Sequence, residues 1–210
     1  VADCTPSNEY ELSLRAEGYR CVAGVDEVGR GSWAGPVVAA AVVLPEINSA
    51  NERALSGVKD SKQLPPAERT RLAAEIRATG ADVGIGWSSH HLIDRLGLTE
   101  ANRRAMLRAI RGLTRPPDIL LLDHFRLHGC PIPQIGVTDG DACVLSIAAA
   151  SVIAKVTRDR WMERCASRFA GYGFERHKGY GTPDHRAALA SLGPSLIHRL
   201  SYAPCSDAGE

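Results

Sequence analysis

Apolar positions recur along the chain in two rhythms. Residues 20–28 and 36–44 (PVVAAAVVL) are short, continuous and β-branched, bounded by glycine and proline, as buried strands are. The few residues between them carry two turn signals, Gly29-Arg30-Gly31 and Gly35-Pro36, so the two strands are expected to pair antiparallel. Residues 81–87 (ADVGIGW) read as a third strand, 118–122 (DILLL) as a fourth ending on Asp123, and 134–138 (QIGVT) as a fifth ending on Asp139-Gly140-Asp141. Helical spacing fills the intervals. A short helix is predicted within 8–18, and another begins at Pro65-Pro66 and stops at Gly80. Ser88-Ser89 can cap a long helix running through Arg111, with Leu92, Leu96, Met106 and Ile110 as its apolar stripe. From Cys143 to about Ala170 the chain reads helical throughout, first small and apolar (VLSIAAASVIA), then charged (KVTRDRWMERCASR), so its first half is expected to be buried and its second half to emerge. A glycine- and aromatic-rich loop, 171–181 (GYGFERHKGYG), precedes a short helix over 183–191.

Strands first, then strands alternating with helices, imply an α/β fold built on a mixed five-stranded sheet flanked by helices, with a C-terminal helical portion. A length of 210 residues fits one domain, with an α/β core over about 20–170, a segment at 171–202 and a tail at 203–210.

Charge adds a partial clue. The formal net charge is only +1, yet residues 143–204 carry nine Lys/Arg against four Asp/Glu, together with His177, His185 and His198. Local patches matter more than totals for a polyanionic partner. The six cysteines include no C-x-x-C pair and no zinc-finger spacing, so reduced thiols are expected rather than a metal or redox site. The first residues carry acids and no apolar signal segment, and the longest apolar runs fall short of a membrane span, so a soluble cytoplasmic protein is expected.

The chemistry gathers at strand ends. Asp26-Glu27, Asp123, and Asp139 or Asp141 each close a predicted strand. If those ends share one edge, the carboxylates converge, and their repulsion is tolerable only where a cation neutralises it. All-oxygen ligands suit Mg²⁺ or Mn²⁺. Two such ions about 4 Å apart would clamp the attacking water and the leaving oxygen of a phosphodiester displacement. Adjacent strand residues point to opposite faces, so Asp26 and Glu27 do not both reach one ion from a regular strand. Asp26 is the expected central ligand, with Glu27 re-aimed by a bulge, serving a second ion, or acting through its carbonyl.

The chain resembles bacterial ribonuclease HII in GVDEVGRGSWAGPVVAAAVVL, VKDSKQL, the LLLD ending at Asp123, GDACVLSIAAASVIAKVTRDR, YGFERHKGYGTPDHRAAL and GPSLIHRLSY, in that family's order over most of residues 20–202. The resemblance implies an RNase H-like fold using Mg²⁺ or Mn²⁺, with the family's four metal-site acids falling on Asp26, Glu27, Asp123 and Asp141. It places the family's ribose-reading turn on Gly29, Arg30 and Gly31, and its stacking tyrosine on Tyr180. It further implies hydrolysis of the RNA strand of RNA/DNA hybrids and nicking of duplex DNA on the 5′ side of an embedded ribonucleotide, leaving 3′-hydroxyl and 5′-phosphate ends. That activity would serve ribonucleotide removal and RNA-primer removal.

The residues support these roles on their own terms. Glycines around Arg30 let the backbone approach a sugar, and the 2′-OH is the group that separates RNA from DNA. Tyr180, between glycines and near Lys178, has the composition of a stacking platform beside a phosphate contact. Lys62 is assigned a phosphate contact or a surface position. Lys155 lies fourteen residues beyond Asp141, about 21 Å along a continuous helix, and is assigned an ion pair or a backbone contact. Arg158, Arg160 and Arg164 are expected on phosphates or in solvent, and the three histidines in structural roles. Asp123-His124-Phe125 departs from the family's commoner D-G pair, and Asp139 stands where the family often has a non-acidic residue. The expected partners are RNA/DNA hybrid and ribonucleotide-containing duplex, with a monomeric chain, no membrane and no protein partner. A related-fold DNA recombination nuclease and a non-catalytic hybrid-binding module are the alternatives.

Overall fold

The computed structural model describes residues 5–48, 51–124 and 126–206. In chain order the elements are α1 (Glu9–Ala16), β1 (Val22–Val28), β2 (Val37–Val43), α2 (Glu52–Leu55), a 3-10 turn (Ser61–Gln63), α3 (Pro66–Ala78), β3 (Asp82–Ser88), α4 (His90–Leu96), α5 (Leu98–Arg111), β4 (Ile119–Asp123), β5 (Gln134–Val137), α6 (Gly140–Cys143), α7 (Leu145–Arg168), α8 (Phe174–His177), α9 (Pro183–Leu192) and α10 (Ala203–Ser206). The strands form one mixed sheet in the order β3-β2-β1-β4-β5. β2 runs antiparallel to β1 and to β3, whereas β4 is parallel to both β1 and β5. The fold is the α/β arrangement expected from the strand pattern.

Two helices cover the two faces of the sheet. Alternation along β1 sends Ala23 and Val25 into a core shared with Ala105, Met106 and Ala109 of α5, while Gly24, on the other face, lies against α7. Both contacts depend on missing side chains. A Cβ at Gly24 would stand 2.2 Å from the Ser146 backbone, and one at Gly86 would stand 2.0 Å from the Ala105 carbonyl oxygen. Alanines 39–41 of β2 complete the close-packed centre.

Two predicted helices are broken. The long helix ending at Arg111 is split at Gly97, whose φ of 79° ends α4 and begins α5. The break shifts the helical phase, so Ile93 is buried while Leu92 and Leu96 are half-buried. Ser89 caps α4 as expected, accepting a hydrogen bond from Leu92 N–H. The helix predicted from Cys143 to about Ala170 is likewise two elements, because Val144 is extended (φ −110°, ψ 122°). The one-turn α6 can therefore turn Asp141 independently of α7. Four cysteines, at 21, 130, 165 and 205, are free, whereas Cys143 is disulfide-bonded, contrary to the expected thiol, and Cys4 lies outside the described residues. No helix among the described residues is long and apolar enough to cross a membrane.

Candidate active site

β1 and β4 are parallel neighbours, so their C-terminal ends lie at the same edge, and the register pairing Val25 with Leu122 runs on to set Asp26 beside Asp123. The Asp123 carboxylate accepts a hydrogen bond from Gly140 N–H (2.8 Å), which ties the end of β4 to α6 and to Asp141. Asp26 and Asp141 are both buried. Pleating separates the adjacent acids as expected: Asp26 accepts a hydrogen bond from Ser151 on α7, and Glu27 accepts from Asn102 on α5 and from Arg30.

Burial first, and then the neighbouring acids, push three of these carboxyls above their ordinary range. Asp26 is raised well above it by desolvation, then by the charges of Glu27 and Asp141, against the hydrogen bond from Ser151. Glu27 is raised by desolvation, with Arg30 opposing and Asp123 adding. Asp123 is raised by desolvation, with the Gly140 N–H opposing and Asp141 adding. The repulsions close a ring through Asp26, Glu27, Asp123 and Asp141. Asp139, by contrast, is exposed in a left-handed conformation (φ 52°) just outside α6.

Cations flank the ring without entering it. Lys62 Nζ stands 3.1 Å from Asp141 Oδ2 and 3.9 Å from Asp60 Oδ1. Burial lowers the Lys62 pKa, but the hydrogen bond and charge of Asp141 outweigh it and leave the ammonium raised. Arg30 Nη1 stands 3.2 Å from Glu27 Oε1. The turn bearing Lys62 is anchored beneath: the Ser61 and Ser151 hydroxyls are 2.9 Å apart, and Arg69 Nη1 donates to the Ser61 and Leu64 carbonyls. Arg69 is held by Asp159, which also pairs with Lys155 at 2.9 Å. Lys155 thus makes the ion pair anticipated for it, within a network that supports the turn.

The turn at 29–31 is built largely from inside. Arg158, expected on phosphates or in solvent, is fully buried and donates to the carbonyls of Pro36, Ala34 and Lys178 and to the Ser32 hydroxyl. Burial lowers its pKa to about 10. Arg199, also fully buried, donates to the carbonyls of Gly29, Arg30 and Gly35. Arg160 and Arg164 are exposed. Ser32 bridges to Tyr180, and Ala34 to His198, so the turn is clamped by C-terminal backbone.

Tyr180 is half-buried, with Arg158 and Lys155 over its ring at 5.3 and 5.4 Å. It borders a cleft of about 490 Å³ also lined by Arg69, Lys155, Arg160, Arg176 and Lys178. The Lys178 ammonium is paired with Glu163 at 2.9 Å and also donates to the Glu175 carbonyl. The three histidines serve structure. Ser195 N–H donates to His198 Nδ1, so neutral His198 donates from Nε2 to His185 Nε2, and His185 donates from Nδ1 to the Tyr180 carbonyl. His177 similarly accepts from Gly179 N–H and donates to the Tyr172 carbonyl.

The ribonuclease HII family model matches residues 23–205. This chain belongs to the ribonuclease HII family. A ribonuclease HII of Roseiflexus castenholzii is 50% identical over 202 residues, covering 96% of this chain and 90% of its own. One of Geotalea uraniireducens is 50% identical over 194 residues, covering 92% and 88%. The crystal structure of ribonuclease H2 from Pyrococcus horikoshii matches with a TM-score of 0.76 at 28% identity, covering 89% of this chain and 96% of that one. The RNase HII of Archaeoglobus fulgidus, solved in complex with PCNA, matches with a TM-score of 0.69 at 26% identity, covering 90% and 97%. Membership makes the chain a ribonuclease H endonuclease with the RNase H-like fold.

The acid ring meets the chemistry of a hard divalent cation. Its donors are carboxylate oxygens, and Asn102 Oδ1, beside Glu27, is buried without a hydrogen-bond partner. Among the described residues no group of three or more His, Cys, Asp or Glu side chains is placed to hold a metal ion as it stands. As the side chains stand, Asp141 is paired with Lys62 and Glu27 with Arg30. Sequence reasoning missed Arg199, Ser151 and Asn102. A buried arginine reads like any surface one, and only the neighbouring backbone reveals what it holds.

Proposed function

We propose that this chain is a metal-dependent endoribonuclease that hydrolyses the RNA strand of RNA/DNA hybrids and nicks duplex DNA on the 5′ side of embedded ribonucleotides. It would leave 3′-hydroxyl and 5′-phosphate ends and serve ribonucleotide removal and RNA-primer removal. Asp26, Glu27, Asp123 and Asp141 would hold Mg²⁺ or Mn²⁺. Two such ions, when bound, supply charge neutralisation and an activated water for phosphodiester hydrolysis. The chain's own residues do the rest. Lys62, with its side chain 77% exposed, would contact a substrate phosphate beside Asp141. Arg30 and Lys178 would contribute charge along the strand, and Tyr180 a face for stacking. Residues 171–202 would be the substrate-contacting segment of one catalytic domain.

The observation that carries this reading is Gly31. It is exposed, no left-handed φ requires a glycine there, and a Cβ added to it meets nothing within 4 Å. Neither the fold nor the turn demands its missing side chain, and its absence leaves the backbone open to a sugar approaching from outside. A ribose held at this turn would have its neighbouring phosphodiester near Asp26 and Glu27, because the turn follows directly on the strand that carries them. Gly29 differs: its φ is 90° and a Cβ would stand 2.2 Å from Arg158 Nε, which is a requirement of the fold.

The test is end-mapping of products from a DNA duplex carrying one ribonucleotide, with and without Mg²⁺, beside an all-DNA duplex. A single Mg²⁺-dependent nick on the 5′ side of the ribonucleotide, ending in 3′-hydroxyl, is expected. Equal nicking of the all-DNA duplex would overturn the ribose reading in favour of a DNA nuclease. Binding without any product, unaffected by chelator, would leave only a hybrid-binding module.

A further inference from the structure

We propose that Arg199, with Tyr202, is a specificity-determining positioning residue: it fixes the backbone polarity of the 29–31 turn so that the turn offers hydrogen-bond donors to a ribose. This rests on the reading of that turn as the ribose contact.

Arg199 is wholly buried beneath the turn, and all five of its N–H groups are engaged. Nε donates to the Gly35 carbonyl at 3.1 Å, Nη1 to the Arg30 carbonyl at 2.7 Å and the Tyr202 hydroxyl at 3.1 Å, and Nη2 to the Gly29 and Gly35 carbonyls at 2.6 and 3.0 Å. The two carbonyls of the turn are then completed by hydroxyls. Gly29 accepts also from Ser32 Oγ at 2.8 Å, and Arg30 accepts also from the Tyr202 hydroxyl at 2.8 Å. A carbonyl oxygen has two lone pairs, so both acceptors are saturated from within.

In a trans peptide the C=O and N–H point in opposite directions. With the Gly29 and Arg30 carbonyls drawn inward onto Arg199, the N–H groups of Arg30 and Gly31 face away from it. Both residues are exposed, and neither N–H has a hydrogen-bond partner among the described residues. The turn therefore presents two adjacent outward donors and no spare acceptor on those two peptide units. A 2′-oxygen satisfies such a pair as an acceptor, whereas a deoxyribose leaves both donors unmet once the strand has displaced water. If the carbonyls were released, either peptide unit could flip and the pair of donors would be lost. Arg199 acts through the turn and touches no substrate itself.

The experiment measures kcat/KM on duplexes identical except for ribose or deoxyribose at the scissile position, for the wild type, Arg199→Lys and Tyr202→Phe, with thermal unfolding of each. A lysine keeps the charge but makes at most three hydrogen bonds. Arg199→Lys is expected to lower the ribose-to-deoxyribose ratio by about tenfold, the scale of one buried hydrogen bond. Tyr202→Phe, which removes only a hydroxyl, is expected to lower it about threefold with little change in unfolding temperature. Should Arg199→Lys fail to fold, Tyr202→Phe decides. A ratio unchanged in the folded variants, with only unfolding temperature reduced, would make Arg199 an ordinary core residue and overturn the proposal. A wild type without any ribose preference would overturn the underlying reading of the turn instead.

Discussion

The ammonium of Lys62 lies 3.1 Å from Asp141 Oδ2, joining two residues 79 positions apart in sequence across the mouth of the acid ring. Because the lysine side chain is mostly exposed, this pair adds little to folding. The proposed phosphate contact gives it a role in substrate binding instead. Lys62→Met is expected to change stability by less than about 0.5 kcal/mol while lowering kcat/KM about tenfold, chiefly through KM. Urea unfolding and steady-state cleavage on one duplex series check both halves, and a destabilised variant with normal KM would refute the assignment.

Asp26 carries the heaviest electrostatic cost. Its folded-state pKa is raised, so the folded protein binds that proton more tightly than the unfolded chain. The group therefore opposes folding above its unfolded pKa, and the penalty is relieved as pH falls through the folded pKa. Asp26→Asn is expected to abolish cleavage, leave duplex binding nearly intact, and raise stability of the metal-free protein at pH 7 by about 1 kcal/mol. Calorimetry without divalent ions reads the last effect, and a lower unfolding temperature than wild type contradicts it.

Divalent ions are expected to stabilise the wild type through the same carboxylates. Saturation at about a hundred times the dissociation constant contributes about 2.7 kcal/mol. For a chain of this size that raises the unfolding temperature by about 5 °C or more. Mn²⁺ titration followed by thermal unfolding is the measurement, and Asp26→Asn should lose most of the shift. An equal shift in that variant would place the ion elsewhere.

Gly29 and Gly31 sit two residues apart and should respond oppositely. Gly29→Ala forces a left-handed φ on alanine and drives its Cβ into Arg158, so a loss of about 2–3 kcal/mol is expected. Gly31→Ala meets open space and is expected to unfold within about 0.5 kcal/mol of wild type. It should nevertheless cut a single-ribonucleotide duplex at least about tenfold more slowly, because the methyl group intrudes on the sugar. Normal cutting by Gly31→Ala would remove the main support for ribose contact at this turn.

The buried His185 and His198 set an acid limit on stability. Burial lowers both to a pKa of about 4, and each ring is reinforced in its neutral form by the other. A depressed histidine contributes stability that is present above the unfolded value near 6.5 and is lost as pH falls toward about 4. The unfolding temperature should therefore drop by about 5 °C or more across that window. His198→Gln should start lower and show a flatter pH dependence, and a profile as steep as wild type would assign the acid loss to other groups.

Much of this protein was legible in its pattern of residues. Short β-branched runs broken by glycine and proline locate the five strands to within a residue or two. The acids stand out because a charged residue ending an apolar strand has no packing reason to be there. Pleating alone separates Asp26 from Glu27, and the structure keeps that separation by setting them against Ser151 and Asn102. Local sequence also specifies the caps, since these depend on residues only a few positions apart, and its glycines mark the turn at 29–31 that Arg199 then holds from 169 and 170 positions away.

What tertiary structure decided lies at longer range. The parallel pairing of β1 with β4 brings Asp26 to Asp123, and the extended Val144 lets a one-turn helix carry Asp141 inward while Asp139 stays in solvent. Burial of Arg158 and Arg199 followed the same rule. Nothing in their neighbours marks them as interior, because an arginine becomes tolerable inside only where folding gathers backbone carbonyls from distant segments around it. Residue type and spacing set which groups are present. The three-dimensional meeting of strand ends and carbonyls decides which charges are paired, which are strained, and which face outward.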